Sequence, residues 1–442
     1  MVIVSKFGGS IMSSADRIRQ AVEILRSDTS RRYVIASAPA GSPGEAGITD
    51  LLMMCHSAFV RHEDYSGPLS AVSEHFRLLS DELGARFDID SEISALKGDL
   101  LSGKNSDYIA SRGEFIMGKI IANILGWEFV DASSIVFFNN DGTLNESKTF
   151  TESKAKLSRL ERAVIPSFYG SLPDGQTKTF PRGDGDSTGA IVARAVNADM
   201  FEKWSETVKA YSTDTSVIPN PKIIRNMTYS EASELNYCGI FTVNDGVLFM
   251  LKEAGIPIRI RSLNDSDDGG MTISANLPEG AKRNSAVCIA GRRNFYIIHI
   301  EKYSLNKQHG FGEKLFGIFS KYKVPCEHCL SGIHKISVVV KSQMFILHYK
   351  QIIDEINQTI EPDSVAVEKD LSLITAIGEG MREEAGRFQR IFSPLSRAGI
   401  NVRMIDHGAD GLNIIIGVQD KDYVSAVKIL YDDVIGAEYS NS

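Results

Sequence analysis

The chain has 442 residues, 43% of them apolar and 24% charged, with a formal net charge of −8. At roughly 150 residues per domain this is a globular protein of two to four domains, and its scattered basic residues exclude an extended nucleic-acid or anionic-membrane surface. No apolar run approaches the roughly 18 residues of a membrane span, the five cysteines make no disulfide framework, and the chain opens on a strand without a charged leader, so a cytoplasmic protein is expected.

The first element is a short apolar strand, Val2-Ile3-Val4, that runs into Lys6-Phe7-Gly8-Gly9-Ser10 and then a helix. Glycines at such a turn let backbone N–H groups approach phosphate oxygens, and the lysine adds a mobile positive charge. Ser13-Ser14-Ala15-Asp16 ahead of Ile18, Val22 and Leu25 gives that helix its own start signal. A bare strand-to-helix turn would show the same residues.

Strands are then expected at Tyr33 to Ala36, Phe129 to Val130, Val164 to Ile165 and Ile256 to Ile260, and helices at Ile109 to Ile124 and Gly189 to Val196. Such alternation argues for a mainly parallel sheet covered by helices on both faces, with ligands outside the carboxyl ends of its strands. Past Arg283 the texture changes. A strand at Phe295 to Ile300, a helix at Phe311 to Tyr322, a strand opening at Val324 and one at Ile336 to Val340 are followed by Leu373 to Ile377, a helix through Phe388 and Leu395, Ile400 to Val402 and Ile414 to Ile416. The spacing suggests a repeated ferredoxin-like βαββαβ unit. Cys326-Glu327-His328-Cys329 has the look of a zinc ligand run, but on a strand its two thiols point to opposite faces.

Four clusters fall where phosphoryl transfer would need them. Ser37-Ala38-Pro39-Ala40-Gly41 and then Thr49-Asp50 could close over a ligand, or could be a connection with Thr49 capping the next helix. Glu114, in Ser111-Arg112-Gly113-Glu114, would be costly to bury without a cation, either a substrate ammonium or Arg112 itself. Phe168-Tyr169-Gly170 and Phe180-Pro181-Arg182-Gly183-Asp184-Gly185-Asp186-Ser187 offer a guanidinium clamp, free amides and aspartates able to hold Mg2+, where a simple N-cap at Asp186 or Ser187 is the plainer alternative. Trp204-Ser205-Glu206 and Tyr211 suit a nucleotide but also fit a plain loop.

Taken in order, these motifs resemble the aspartokinases of the amino-acid-kinase family, with two C-terminal ACT modules. The family's K-F-G-G-[ST] is matched by Lys6 to Ser10, its S-A loop ending in T-[DN] by Ser37-Ala38 and Thr49-Asp50, its G-E by Gly113-Glu114, and its G-F-I-G by Ser167 to Gly170. Its R-G-G-S-D falls on Arg182 to Asp186 and its Trp-Thr-Asp strand on Trp204-Ser205-Glu206. The resemblance implies a three-layer catalytic domain over 1–283, ACT modules over 284–367 and 368–442 that interlock, and an ATP- and Mg2+-dependent transfer to the side-chain carboxylate of L-aspartate. It implies Lys6 and Asp186 as catalytic residues, with Asp186 also facing the metal. Ser37, Thr49, Glu114, Phe168 and Arg182 would bind the amino acid, and Gly8, Gly9, Ser10, Ser205, Glu206 and Tyr211 the nucleotide. An amino-acid effector would sit near Asn306, Gln308, Gly310 and Phe311, in a homodimer or larger homo-oligomer formed through the ACT modules; a dimerisation module without effector is the alternative. Two departures stand out: the family's nucleotide-side lysine is Ile240 here and its arginine is Ser216. They leave open a catalytically weak regulatory paralogue, and a kinase for a related acid such as glutamate is the other rival.

Overall fold

The structure is a computed structural model that describes residues 1–206, 210–241, 243–264, 269–279, 286–303, 305–382, 385–408 and 410–436. Thr242, the expected boundary at 283/284 and the side chain of Asn306 lie outside the described residues. Contacts divide the chain into two units. The first comprises 1–209, 225–229 and 243–277, and the second 210–224, 230–242 and 278–442. The second unit therefore draws in two segments that precede residue 283.

In the first unit, strands β1 (Ile3–Phe7), β2 (Arg31–Ala36), β3 (Glu128–Phe129), β4 (Ala163–Pro166), β5 (Met200–Ser205), β6 (Asn226–Thr228), β7 (Ile258–Ser262) and β8 (Met271–Ser274) form one sheet in the order β6-β8-β7-β5-β1-β2-β4-β3. Only the β7–β8 pairing is antiparallel. All five residues of β1 are buried, as a central strand covered on both faces requires. Helix α1 (Ala15–Ser27) turns Ala15, Ile18, Ala21, Val22 and Leu25 inward. Helix α2 (Ile48–Val60) follows the Ser37 to Gly47 loop. Helix α3 (Ser106–Leu125) starts where the Asn105 side chain accepts from the Tyr108 N–H and stops at left-handed Gly126. Helix α4 (Asp186–Ala195) packs so closely on the sheet that a Cβ at Gly189 would lie 2.5 Å from Phe201.

In the second unit, strands β9 (Cys288–Glu301), β10 (Cys326–Ser331), β11 (Lys335–Lys341), β12 (Ser364–Ile377), β13 (Met404–His407) and β14 (Asn413–Gln419) form an antiparallel sheet in the order β10-β11-β9-β12-β14-β13. The two 14-residue strands each serve twice. The second half of β9 runs into helix α5 (Phe311–Lys321), β10, β11, helix α6 (Tyr349–Ile360) and the first half of β12, which completes one βαββαβ module. The second half of β12 runs into helix α7 (Arg387–Arg397), β13, β14 and helix α8 (Tyr423–Leu430), and the fourth strand of that module is the first half of β9, Cys288 pairing with Ile377. A linear cut at 367/368 passes through β12 and does not separate the two.

Two strands of the second unit open later than expected, and in the first unit the strands expected at Ile256 to Ile260 and Phe129 to Val130 fall at Ile258–Ser262 and Glu128–Phe129. Ile400 to Val402 is not a strand: left-handed Gly399 ends α7, the Ile400 N–H bonds back to the Leu395 carbonyl at 3.0 Å, and pairing starts only at Met404. Likewise Lys323 takes a positive φ and Val324 closes on Phe319, so the strand opens at Cys326. Among the described residues no group of three metal-ligating side chains assembles, and no helix is long and apolar enough to cross a membrane.

Candidate active site

The carboxyl end of β1 fixes the site. Lys6 is paired in register with Lys203 on the adjacent parallel strand β5, so both side chains leave the same face of the sheet. Asp186, in the first turn of α4, meets both: Lys6 Nζ lies 3.0 Å from Oδ1 and Lys203 Nζ 2.6 Å from Oδ2. The Lys6 contact lies outside hydrogen-bond alignment, so its hold on Oδ1 is electrostatic. Burial would raise the Asp186 pKa, but the two ammonium groups bring it down to about 2. On the opposite face of β5, Glu202 is taken up by Arg31 at 2.7 Å.

Beyond Lys6 the chain turns tightly. The Gly8 N–H is donated to the Trp204 carbonyl at 3.2 Å, so of the two glycine amides expected to face phosphate, Gly8 is already engaged. Gly9 passes so near the neighbouring loop that a Cβ there would stand 2.7 Å from the Ala38 carbonyl oxygen. Helix α4 has Gly185 as its N-cap, and Asp186 and Ser187 lie inside its first turn, so neither is the cap. The Ser187 hydroxyl bonds to Asp184 at 2.7 Å, while burial raises the pKa of Asp184.

A cleft of about 390 Å³ opens over this floor. The five expected substrate-binding residues Ser37, Thr49, Glu114, Phe168 and Arg182 line it together with Lys6, expected to be catalytic, and Gly9, expected on the nucleotide. Gly113 lets α3 come close: a Cβ there would sit 3.0 Å from Ala38 and Ile48 side-chain atoms. Glu114 is thereby held at the wall, buried, with Oε2 making no hydrogen bond. Desolvation pushes its pKa to about 8. The internal ion pair with Arg112 does not form. That guanidinium lies 4.2 Å from the ring centroids of Tyr108 and Phe115 and donates to Ser111 Oγ at 3.0 Å. Thr49 does not cap α2 either: Gly47 is the N-cap, and its N–H bonds to the Asp50 carboxylate at 3.2 Å.

Two features escape a reading of the motifs. Asp50 also holds the exposed guanidinium of Arg182, and Phe168 has φ of +81°, a strained conformation for a non-glycine residue, with its N–H bonded to Thr188 Oγ1. Lys203 was not a motif residue at all; the available signal was a lysine inside the apolar strand Met200-Phe201-Glu202-Lys203-Trp204.

The remaining expected residues lie elsewhere. Ser10 sits at the start of a short 3-10 turn, and its carbonyl accepts from Arg17, which also pairs with Glu206 at 2.6 Å. Ser205 ends β5. Tyr211, Ser216 and Ile240 belong to the second unit, Tyr211 in a short ribbon with Ile223. Of the effector residues, Gly310 is the left-handed N-cap of α5, the Gln308 N–H bonds to the Leu305 carbonyl, and Phe311 is buried in its module's core.

Asp186, expected to face Mg2+, is engaged by two lysines in this structure. Both of its oxygens face ammonium groups, so a divalent ion there would lie among positive charges.

Residues 1–262 match the family model described as Amino acid kinase family, and residues 374–434 one described as ACT domain. The chain belongs to the amino acid kinase family. It is 30% identical to Aspartokinase 3 of Bacillus subtilis (strain 168), over 97% of this chain and 98% of that one. It is similar to the crystal structure of Clostridium acetobutylicum aspartate kinase, at 35% identity, a TM-score of 0.89, and coverage of 98% and 99% of the two chains. Escherichia coli aspartokinase III, at 22% identity, TM-score 0.70 and coverage of 98% and 100%, shares the fold. Within the family, then, this chain is one of the aspartokinases.

Proposed function

We propose that this chain transfers the γ-phosphoryl group of ATP to the side-chain carboxylate of L-aspartate, giving 4-phospho-L-aspartate, the opening step of lysine, threonine, methionine and isoleucine formation. One observation carries the choice of acceptor: a buried carboxyl group, Glu114, whose Oε2 makes no hydrogen bond, and a guanidinium, Arg182, line the same small cleft as Lys6. A substrate ammonium would complete Glu114, and Arg182 would exchange part of its hold on Asp50 for the α-carboxylate. Thr49 and Ser37 would orient the amino acid, with Phe168 shaping the wall.

The attacking carboxylate is ionised at neutral pH, so no general base is needed. Rate acceleration must come from alignment and from offsetting the repulsion of two anions. Lys6, positioned by Asp186, and the Gly9 amide would stabilise the moving phosphoryl group. Ser10, Ser205, Glu206 and Tyr211 would hold the nucleotide. Mg2+ belongs on this reading to the substrate MgATP. Ile240 and Ser216 weaken ATP binding more than turnover, and they are the one observation favouring the second reading, a catalytically weak regulatory paralogue.

The test is ADP release from MgATP with aspartate, glutamate or carbamate as acceptor. Release with aspartate alone supports the proposal; none with aspartate favours the paralogue. Titrating lysine, threonine and methionine into that assay tests the effector site near Gln308 and Gly310, and sedimentation tests a homodimer formed through the ACT modules. Cytoplasmic placement belongs to the same proposal.

A further inference from the structure

The two lysines on one carboxylate leave the site with a charge imbalance that a purely structural role does not explain. Asp186 is buried, and Lys6 alone would neutralise it. Yet Lys203, with its side chain only 19% exposed, is brought to the second oxygen. A buried ammonium without its own counter-ion is costly unless an anion completes it. Nearby carboxylates do not serve. Glu202 lies on the other face of β5 with Arg31, and Asp184, bonded to the Ser187 hydroxyl, acts on Lys6 only at a distance and forms an ion pair with neither lysine. Strand alternation and register set Lys203 beside Lys6 on the same face of the sheet, and one carboxylate gathers both ammonium groups, so a single polyphosphate could meet the two.

We propose that Lys203 is a second phosphate-contacting lysine of this site, held in reserve on Asp186 and turned toward the transferring phosphoryl group as the two anions meet. The inference rests on the kinase reading for its reaction. Lys203 and Lys6 would then bracket the γ-phosphoryl oxygens while Asp186 keeps the pair at a fixed separation. A point charge aimed at developing negative charge in a water-poor site acts on turnover more than on binding.

The experiment compares the unaltered protein with Lys203→Met and Lys203→Arg. For Lys203→Met, kcat is expected to fall about 100-fold or more, as on loss of one oxyanion-type donor, with KM for aspartate within twofold. Lys203→Arg should recover a tenth or more of the lost turnover. A kcat for Lys203→Met within threefold of the unaltered protein, or equal losses for both variants, overturns the proposal. Should Lys203→Met fail to fold, the unaltered protein still decides. Amine-reactive footprinting should show Lys203 protected by MgADP with aluminium fluoride and aspartate, and unchanged labelling counts against it. If the unaltered protein releases no ADP with aspartate, the acceptor assignment fails, while footprinting with MgADP and aluminium fluoride alone still tests phosphate contact at Lys203.

Discussion

Replacing Glu114 by glutamine sets stability against binding. Folded Glu114 keeps its proton up to about pH 8, whereas in the unfolded chain it loses it near 4.5. The folded state therefore binds the extra proton, and stability falls as pH rises from 4.5 to 8, by about 1.4 kcal/mol per unit. At pH 7 that is 2.5 units, roughly 3 kcal/mol, which Glu114→Gln should restore as a gain in stability in urea titration. Aspartate binding should move the other way. The ammonium selects the ionised carboxylate, which at a pKa of about 8 is roughly a tenth of the protein at pH 7. KM for aspartate should thus rise about 25-fold between pH 8.5 and 6.5, with close to one proton released per aspartate bound at pH 7. In Glu114→Gln the KM should be 10-fold or more higher at pH 8.5 and flat with pH, the loss of a charge-assisted bond of about 1.5 to 3 kcal/mol. A KM in the unaltered protein that stays constant from pH 6.5 to 8.5 would refute the reasoning.

Asp186→Asn leaves the buried Lys6 and the partly buried Lys203 ammonium groups facing each other, and thermal melts should show a loss of about 3 kcal/mol. Gly9→Ala should cut kcat/KM and lower the melting temperature, because its Cβ must push the hook away from the Ala38 backbone carbonyl. Gly189→Ala should destabilise by about 1 to 3 kcal/mol through its clash with Phe201. Ile240→Lys should lower the KM for ATP by one to two decades, roughly 1.5 to 3 kcal/mol, and an unchanged KM would remove Ile240 from the nucleotide account.

The cleft was legible in the sequence where chemistry and spacing coincide. Lys6 and Gly9 end a strand, Glu114 breaks an apolar helix, and Arg182 precedes a helix start; all line one cavity. What escaped depends on pairing across the chain. Lys203 is an ordinary polar position of a strand until register places it beside Lys6, and Asp50 looks like a capping residue until Arg182 arrives from 132 residues away. Periodicity found the modules of the second unit, while their interlock came only from the family resemblance, since β9 and β12 are each one continuous strand shared by two modules. The Gly399 helix stop is a local signal that the apolar Ile400 and Val402 concealed.

The central claim is that Lys6 stabilises the phosphoryl group as it passes from ATP to aspartate in this cleft. Acyl-phosphate formation from MgATP and aspartate, compared between the unaltered protein and Lys6→Ala, tests it directly. The account predicts product from the first and a loss of at least a hundredfold in the second with the fold intact; equal rates would contradict it.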